Sequence, residues 1–313
     1  MKKYEIIADA TCDLEKALQE KADIRIVPGH IRYPDGTERS VLPGWENTTA
    51  EEFYAALKRD PNAYTTSPAN VYEFEQVMLQ CAEEGRDLLL MTISSGISGA
   101  YDFARQAREN ALKTHPETNI RVVDSLRFGP GFGLMVLEAA AMRERGKTLD
   151  ETADWMEQNK NRYHQAGWLD DLSFVAKKGR LTHAKAFFGT LAGVKPIGEF
   201  DYNGLTTVIG KAKGAKNAYA ALLDYIDHTI ESPEEQTIFI AHTNRRREAE
   251  AFRGMIEERF HPKEIHVKDV HPLCGINIGP GLMAAYYVGS PITHGLDTER
   301  GILEKFLSGG NEA

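Results

Sequence analysis

Four short stretches of the sequence set hydroxyl or carboxyl side chains at the end of an apolar run: Asp9-Ala10-Thr11, Thr65-Thr66-Ser67, Ser94-Ser95-Gly96 and Asp124-Ser125. Serine and threonine hydroxyls donate hydrogen bonds to the oxygens of an acid or phosphate. Glycine lets a backbone approach a ligand closely, and the first turn of a helix adds unpaired N–H groups and the positive end of its peptide dipoles. The chemistry on offer is recognition of an anionic head group. One such stretch alone reads as a helix cap. Four of them, each after a strand of one sheet, read as a shared crevice, because ligands of open α/β sheets bind at the carboxyl ends of the strands.

Two other readings compete. Ser95 and Ser98 lie between an apolar strand and a helix, the order of an α/β-hydrolase elbow, but Gly96-Ile97-Ser98-Gly99-Ala100 lacks the second glycine of G-x-S-x-G. His164, His183, His242 and His271 read as surface or core residues rather than bases for either serine. A serine-dependent acyl hydrolase or transferase is therefore the second reading, and a sensor of a small phosphorylated ligand the third. Gly129, Gly131 and Gly133 miss the G-x-G-x-x-G spacing of a dinucleotide loop and read as tight strand-to-helix packing. Cys274 to Gly281 reads as a turn between apolar strands, bent by Gly279-Pro280-Gly281. Arg245-Arg246-Arg247 opens a helix, where cations oppose the peptide dipole, and so leaves room for an anionic partner.

The elements that must position these residues follow a β-α alternation through the first half: YEIIADA before TCDLEKALQEK, DLLLMTIS before SGAYDFARQARENALK, and NIRVVDS before GFGLMVLEAAAMRERG. That pattern predicts a mostly parallel sheet covered by helices. Thr48 or Thr49 caps the helix that follows, with Glu51 or Glu52 as the returning partner, and Ser67-Pro68 is expected to open the next. Gly85 and Gly146 read as helix stops. Near residue 150 the pattern changes: Asn203-Gly204 marks a hairpin, followed by helix, strand, helix and strand. The expectation is α/β with two domains, residues 1–152 with a mostly parallel sheet flanked by helices and residues 153–313 with a mixed sheet.

Composition bounds the partners. The chain has 313 residues, 42% of them hydrophobic and 27% charged, which suits a globular protein. A net charge of −9 argues against nucleic acid as the main partner, since phosphate binding needs a basic face. No apolar run approaches the ~20 residues of a membrane span, and Asp9 interrupts the start too early for a signal-peptide core, so a cytoplasmic protein without stable membrane insertion is expected. Cys12, Cys81 and Cys274 lack paired-ligand spacing and are read as reduced thiols, with no metal site.

The segments DATCDL (9–14), TTSP (65–68), ISSGISGAY (93–101), VVDS (122–125), KKGRL (177–181), VKPI (194–197) and GINIGPG (275–281) occur in this order along almost the whole chain. In this the chain resembles the DegV family of bacterial fatty-acid-binding proteins. The resemblance implies two α/β domains and a long-chain fatty acid, palmitate-like or oleate-like, in a tunnel between or within them. It implies that Thr66, Ser94 and Ser95 hold the carboxylate, with Ser67 and Gly96 adjacent and Asp9, Thr11, Asp124, Ser125, Arg180, Gly279 and Gly281 in support. It implies no catalytic residue, metal or cofactor. Asn277 stands where the family usually has a histidine two residues before Gly-Pro-Gly, and is expected to hydrogen-bond the carboxylate in its place. Some members present the carboxylate to a fatty acid kinase, a role associated with an arginine after the hairpin; here the matching segment is Lys211-Ala212-Lys213.

Simple energetics agree with a lipid. A C16 chain buries about 15 methylene-like groups at ~0.8 kcal/mol each, on the order of 12 kcal/mol before immobilisation costs. The tail supplies affinity, and the head needs only a few donors. Candidate tunnel residues are Phe128, Phe132, Leu134, Phe187, Phe188, Leu191 and Met283, each equally suited to plain core.

Overall fold

The computed structural model describes residues 4–45, 48–180 and 193–309. The chain folds into two compact units, residues 1–46 with 62–160 and residues 47–61 with 161–313. The sequence suggests one cut at 152. The structure puts it at 160 and groups the segment 47–61 with the second unit, because Tyr54 of the helix Ala50–Arg59 donates its hydroxyl to the Val270 carbonyl at 2.7 Å.

The first unit is built on four parallel strands, β1 (Glu5–Asp9), β2 (Ile24–Val27), β6 (Leu88–Thr92) and β7 (Ile120–Asp124), in the order β2-β1-β6-β7. Parallel neighbours need crossovers, and helices supply them: α1 (Lys16–Lys21) between β1 and β2, and α4 (Ala100–Thr114) between β6 and β7. With both faces covered, every residue of β6 is buried, which is why Leu88–Thr92 is continuously apolar up to its last residue. On one face Ile7, Leu88 and Leu90 join Phe74 and Met78 of α3 (Val71–Glu83) and the small residues Ala100, Ala104, Ala107 and Ala111 of α4 in one core. The helices α5 (Gly129–Glu144) and α6 (Leu149–Asn159) also pack on this sheet.

Pro28 has no N–H for a ladder, and there the chain leaves this sheet for a small antiparallel one. It contains β3 (Gly29–Arg32), β4 (Glu38–Val41) and β5 (Thr65–Ser67) in the order β4-β3-β5. The expected cap at Ser67 is displaced: Ser67 ends β5, and Asn70 caps α3 in a reciprocal box with Glu73, the Glu73 amide donating to Asn70 Oδ1 at 3.1 Å. Thr49 caps α2 (Ala50–Arg59) with Glu52 as the returning side chain. Gly85 and Gly146, at φ +66° and +82°, end α3 and α5 in the left-handed conformation that glycine adopts without strain.

The second unit carries a six-stranded mixed sheet, β8 (Tyr163–Trp168), β9 (Val194–Phe200), β10 (Thr206–Lys213), β11 (Thr237–His242), β12 (Glu264–Asp269) and β13 (Met283–Val288), in the order β10-β9-β8-β13-β11-β12. Only β11 and β12 pair in parallel. The hairpin at Asn203-Gly204 joins β9 to β10, with Gly204 at φ +79°. Helix α8 (Gly214–Thr229) packs on β8, β9 and β10, and α9 (Arg246–Phe260) on β11 and β12. The stretch expected to be a turn from Cys274 onward is instead helical: α10 (Pro272–Ile278) starts on proline, is capped by His271, and ends at Gly279. Among the described residues no helix is long and apolar enough to cross a membrane, and no cluster of metal-ligating side chains occurs. The three cysteines are buried and unbridged.

Candidate functional site

Strand register alone aligns the central residues of the first unit. Ala8 pairs with Met91 and Thr92 with Asp124, so Asp9, Thr92 and Asp124 end three adjacent strands in one row. Beyond Thr92 the chain leaves the sheet and crosses seven residues before α4 begins at Ala100. Side chains from the two neighbouring strand ends hold that crossing. The Ile93 amide donates to Asp9 Oδ2 at 2.7 Å, and the Ser95 amide to Asp124 Oδ1 at 3.1 Å. The Ser94 amide donates to the Arg127 carbonyl at 2.9 Å, and the Gly96 amide to Ser94 Oγ at 3.1 Å. The amides of Ile97 and Ser98 both donate to the Ser94 carbonyl at 3.2 Å.

From Ile93 to Ser98 the backbone N–H groups expected to face an anion are therefore already engaged. The helix begins after the serines, with Gly99 as its cap residue, and the Ser98 hydroxyl accepts the Ala100 amide at 3.3 Å. What the loop presents is hydroxyl. Ser94 is buried, Ser95 and Gly96 are exposed, and Ser98 is half-buried.

The struts are themselves braced. Asp9 also accepts from the Thr11 amide at 2.9 Å and from the Thr11 hydroxyl. Burial pushes the Asp9 carboxyl above its ordinary value, while the Thr11 hydroxyl and the Ile93 and Thr11 amides pull it back down. Asp124 Oδ1 accepts a second amide, that of Leu126, at 3.1 Å, and the Asp124 carbonyl accepts from Lys160 Nζ at 3.3 Å. Ser125 exchanges hydrogen bonds with Arg127: its hydroxyl donates to the Arg127 carbonyl at 2.9 Å and accepts the Arg127 amide at 3.0 Å. Arg127 is 0% exposed. Sequence reasoning missed Arg127 and Thr92. Thr92 had a local signal, as the polar residue closing an apolar strand; for Arg127 the deciding fact is burial.

Thr66 and Ser67, expected to follow a strand of the same sheet as the other three stretches, instead lie within β5 of the small antiparallel sheet, opposite Ile31 and His30 of β3. Successive strand residues face opposite ways, so the two hydroxyls point to different faces. Thr66 is half-buried and Ser67 exposed. The Glu73 carboxylate accepts the Asn70 amide at 2.8 Å and contacts His30 Nε2 at 2.9 Å, tying β3 to the start of α3. His115, the other histidine of this unit, stands 3.5 Å from Glu117. Both histidines thus have carboxylate partners of their own, which weakens the reading of Ser95 or Ser98 as an activated nucleophile.

The remaining candidates belong to the second unit. Arg180 is half-buried after α7 (Leu172–Lys177) and donates to the Lys178 carbonyl. Asn277 is half-buried in the last turn of α10. Gly279 and Gly281 are there for packing: a Cβ would stand 2.5 Å from the Phe174 ring and 2.9 Å from Asp170 Cβ, and both have positive φ, +79° and +103°. Thr243 Oγ1 holds this bend, accepting the Gly281 and Leu282 amides at 2.7 and 2.9 Å. Arg245, expected to await an anionic partner, is ion-paired with Asp170, which also binds Lys195. Lys211 and Lys213 are exposed on β10. Phe132, Leu134 and Met283 are core residues, and Phe128 packs on the α3/α4 core; His183, Phe187, Phe188 and Leu191 lie outside the described residues. The reading of Gly133 as a packing residue holds, since a Cβ would meet the Cys12 carbonyl at 2.6 Å.

A DegV domain-containing protein from Clostridium perfringens is 32% identical over 289 residues, covering 92% of this chain and 98% of its own. Among solved structures, a DegV family protein from Thermus thermophilus described by its fatty acid binding superposes with a TM-score of 0.82 at 24% identity, covering 92% of this chain and 100% of that one. A stearic acid-binding protein from Eubacterium ventriosum superposes with a TM-score of 0.77 at 21% identity, covering 91% and 98%. At these identities the structural likeness is one of fold. Residues 3–290 match the family described as "Uncharacterised protein, DegV family", and with that match over nearly its whole length the chain belongs to the DegV family.

Proposed function

We propose that this protein binds a long-chain fatty acid non-covalently, its carboxyl head held by the hydroxyls of Ser94 and Ser95 with Thr66 as a further donor, and its hydrocarbon tail in an apolar channel. The observation that carries the reading is the loop after β6, whose amides from Ile93 to Ser98 are engaged by neighbouring acceptors while the Ser95 hydroxyl stands exposed. Such a surface suits a head that needs hydrogen bonds while the tail supplies affinity. It does not suit covalent catalysis, which needs a base beside the serine. The fatty acid and stearic acid binding of the two superposed relatives supports the choice of ligand.

Calorimetric titration with oleate tests the head-group assignment. Ser95→Ala and Thr66→Ala are each expected to weaken binding by ~1–2 kcal/mol, the range for a lost hydrogen bond to a charged or strongly polar group. Unchanged affinity in both variants would overturn the placement of the head. Labelling of the wild-type protein at Ser95 or Ser98 by a fluorophosphonate would instead favour a serine-dependent enzyme.

A further inference from the structure

Resting on that reading, we infer that the head-group loop selects for hydrogen-bonding capacity and not for negative charge, so that long-chain primary alcohols are ligands of the same site alongside fatty acids. Two independent features lead there. The first is donor identity. From Ile93 to Ser98 every amide is engaged by Asp9, Asp124, Ser94 or Arg127, and the exposed hydroxyl of this stretch is that of Ser95. A serine hydroxyl both donates and accepts, so it pairs with an alcohol as readily as with an acid.

The second feature is charge. The loop is backed by two carboxylates, Asp9 from β1 and Asp124 from β7, and Asp124 Oδ1 lies only 3.1 Å from the Ser95 amide. Glu157 of α6, Asp124 and Asp102 act with Arg105 on Tyr101 in the first turn of α4. Two cations of this unit are already engaged: Arg127, buried and donating to the Leu126 carbonyl at 2.7 Å, and Lys160, which stands 2.6 Å from Glu157. An ionised head against Ser95 meets like charge behind it, and an uncharged head does not.

Displacement of a fluorescent long-chain fatty acid by oleate and by oleyl alcohol, near neutral pH, reads this directly. Oleyl alcohol is expected to compete within about fivefold of oleate, as one neutral hydrogen bond exchanged for another. A preference for oleate of about a hundredfold or more would overturn the inference. Asp124→Asn keeps an acceptor for the Ser95 and Leu126 amides while removing the charge. It is expected to raise the affinity for oleate relative to that for oleyl alcohol several-fold, whatever common change both ligands show; an unchanged ratio would count against the electrostatic cause. The two levels of the proposal separate cleanly: absence of any probe binding sinks the fatty-acid reading, whereas displacement by oleate alone sinks only the neutral-head inference.

Discussion

An eighteen-carbon fatty acid is expected to bind this protein more tightly than an eight-carbon one by roughly 10⁴-fold or more. Ten methylenes leave water at ~0.8 kcal/mol each, about 8 kcal/mol in all, and ordering the longer chain takes back only part of it. At about 1.4 kcal/mol per tenfold, 10⁴-fold uses about seven-tenths of that gross term. The head group is the same across the series, so the slope reports burial of the tail alone. Titration calorimetry with saturated acids of increasing length would show affinity climbing steadily until the channel is filled. A flat series would mean that the protein grips the carboxyl and leaves the tail in water, and the carrier reading would fall.

Replacing Glu199 by alanine is expected to cost about 3–5 kcal/mol of stability, the range for removing one partner of a buried charged pair. Glu199 and His164 are both 0% exposed. The carboxylate accepts the amides of Gln165 at 2.6 Å and Phe200 at 2.7 Å, accepts the Tyr225 hydroxyl at 3.0 Å, and contacts His164 Nδ1 at 2.8 Å. The far nitrogen of His164 faces the Ser290 carbonyl at 2.8 Å and so carries a hydrogen. Tyr287 stacks on the imidazole at a ring distance of 5.0 Å. Burial, reinforced by the negative charge of Glu199, holds the hydroxyls of Tyr225 and Tyr287 well above their ordinary values, which keeps both in the neutral form. One side chain thus joins β8, β9 and α8. Chemical denaturation should show the loss, and Glu199→Gln, which keeps an acceptor for the amides, should lose less. A change below about 1 kcal/mol for the alanine variant would show that water replaces the carboxylate.

Local chemistry made much of the fold legible. Thr49 with Glu52 is a contiguous capping box, Asn203-Gly204 a contiguous turn, and Gly85 and Gly146 are stops whose positive φ follows from glycine itself. The continuous apolar run Leu88–Thr92 announced a strand covered on both faces. What escaped depended on partners far away in the chain. Ser67-Pro68 and Asn70 both resemble caps, and the choice falls to Asn70 because Ser67 is held in β5 by His30. Residues 274–278 look like a glycine-rich turn, but Pro272 and the His271 cap start a helix before it.

The site shows the same division. Its residue types were legible at Asp9, Ser94, Ser95 and Asp124, but their roles were not. Whether an amide faces a ligand or a neighbouring aspartate is set by the register of three strands, β1, β6 and β7, brought together from distant parts of the chain. The two aspartates read as support, and their effect is larger than that, since they take the amides at Ile93 and Ser95 that an anion would otherwise use. Arg245 gave the opposite case: three arginines opening a helix suggested an open anion site, and the carboxylate that meets Arg245 is Asp170, 75 residues away in sequence.

The most direct test is the mass of the purified protein sprayed under native conditions, followed by solvent extraction of whatever it carries. The expected result is a complex heavier than the bare chain by one long-chain acid, released on denaturation and restored when the stripped protein meets palmitate or oleate. A native mass equal to that of the bare chain, with neither acid taken up, would contradict the assignment of this DegV family member as a fatty acid carrier.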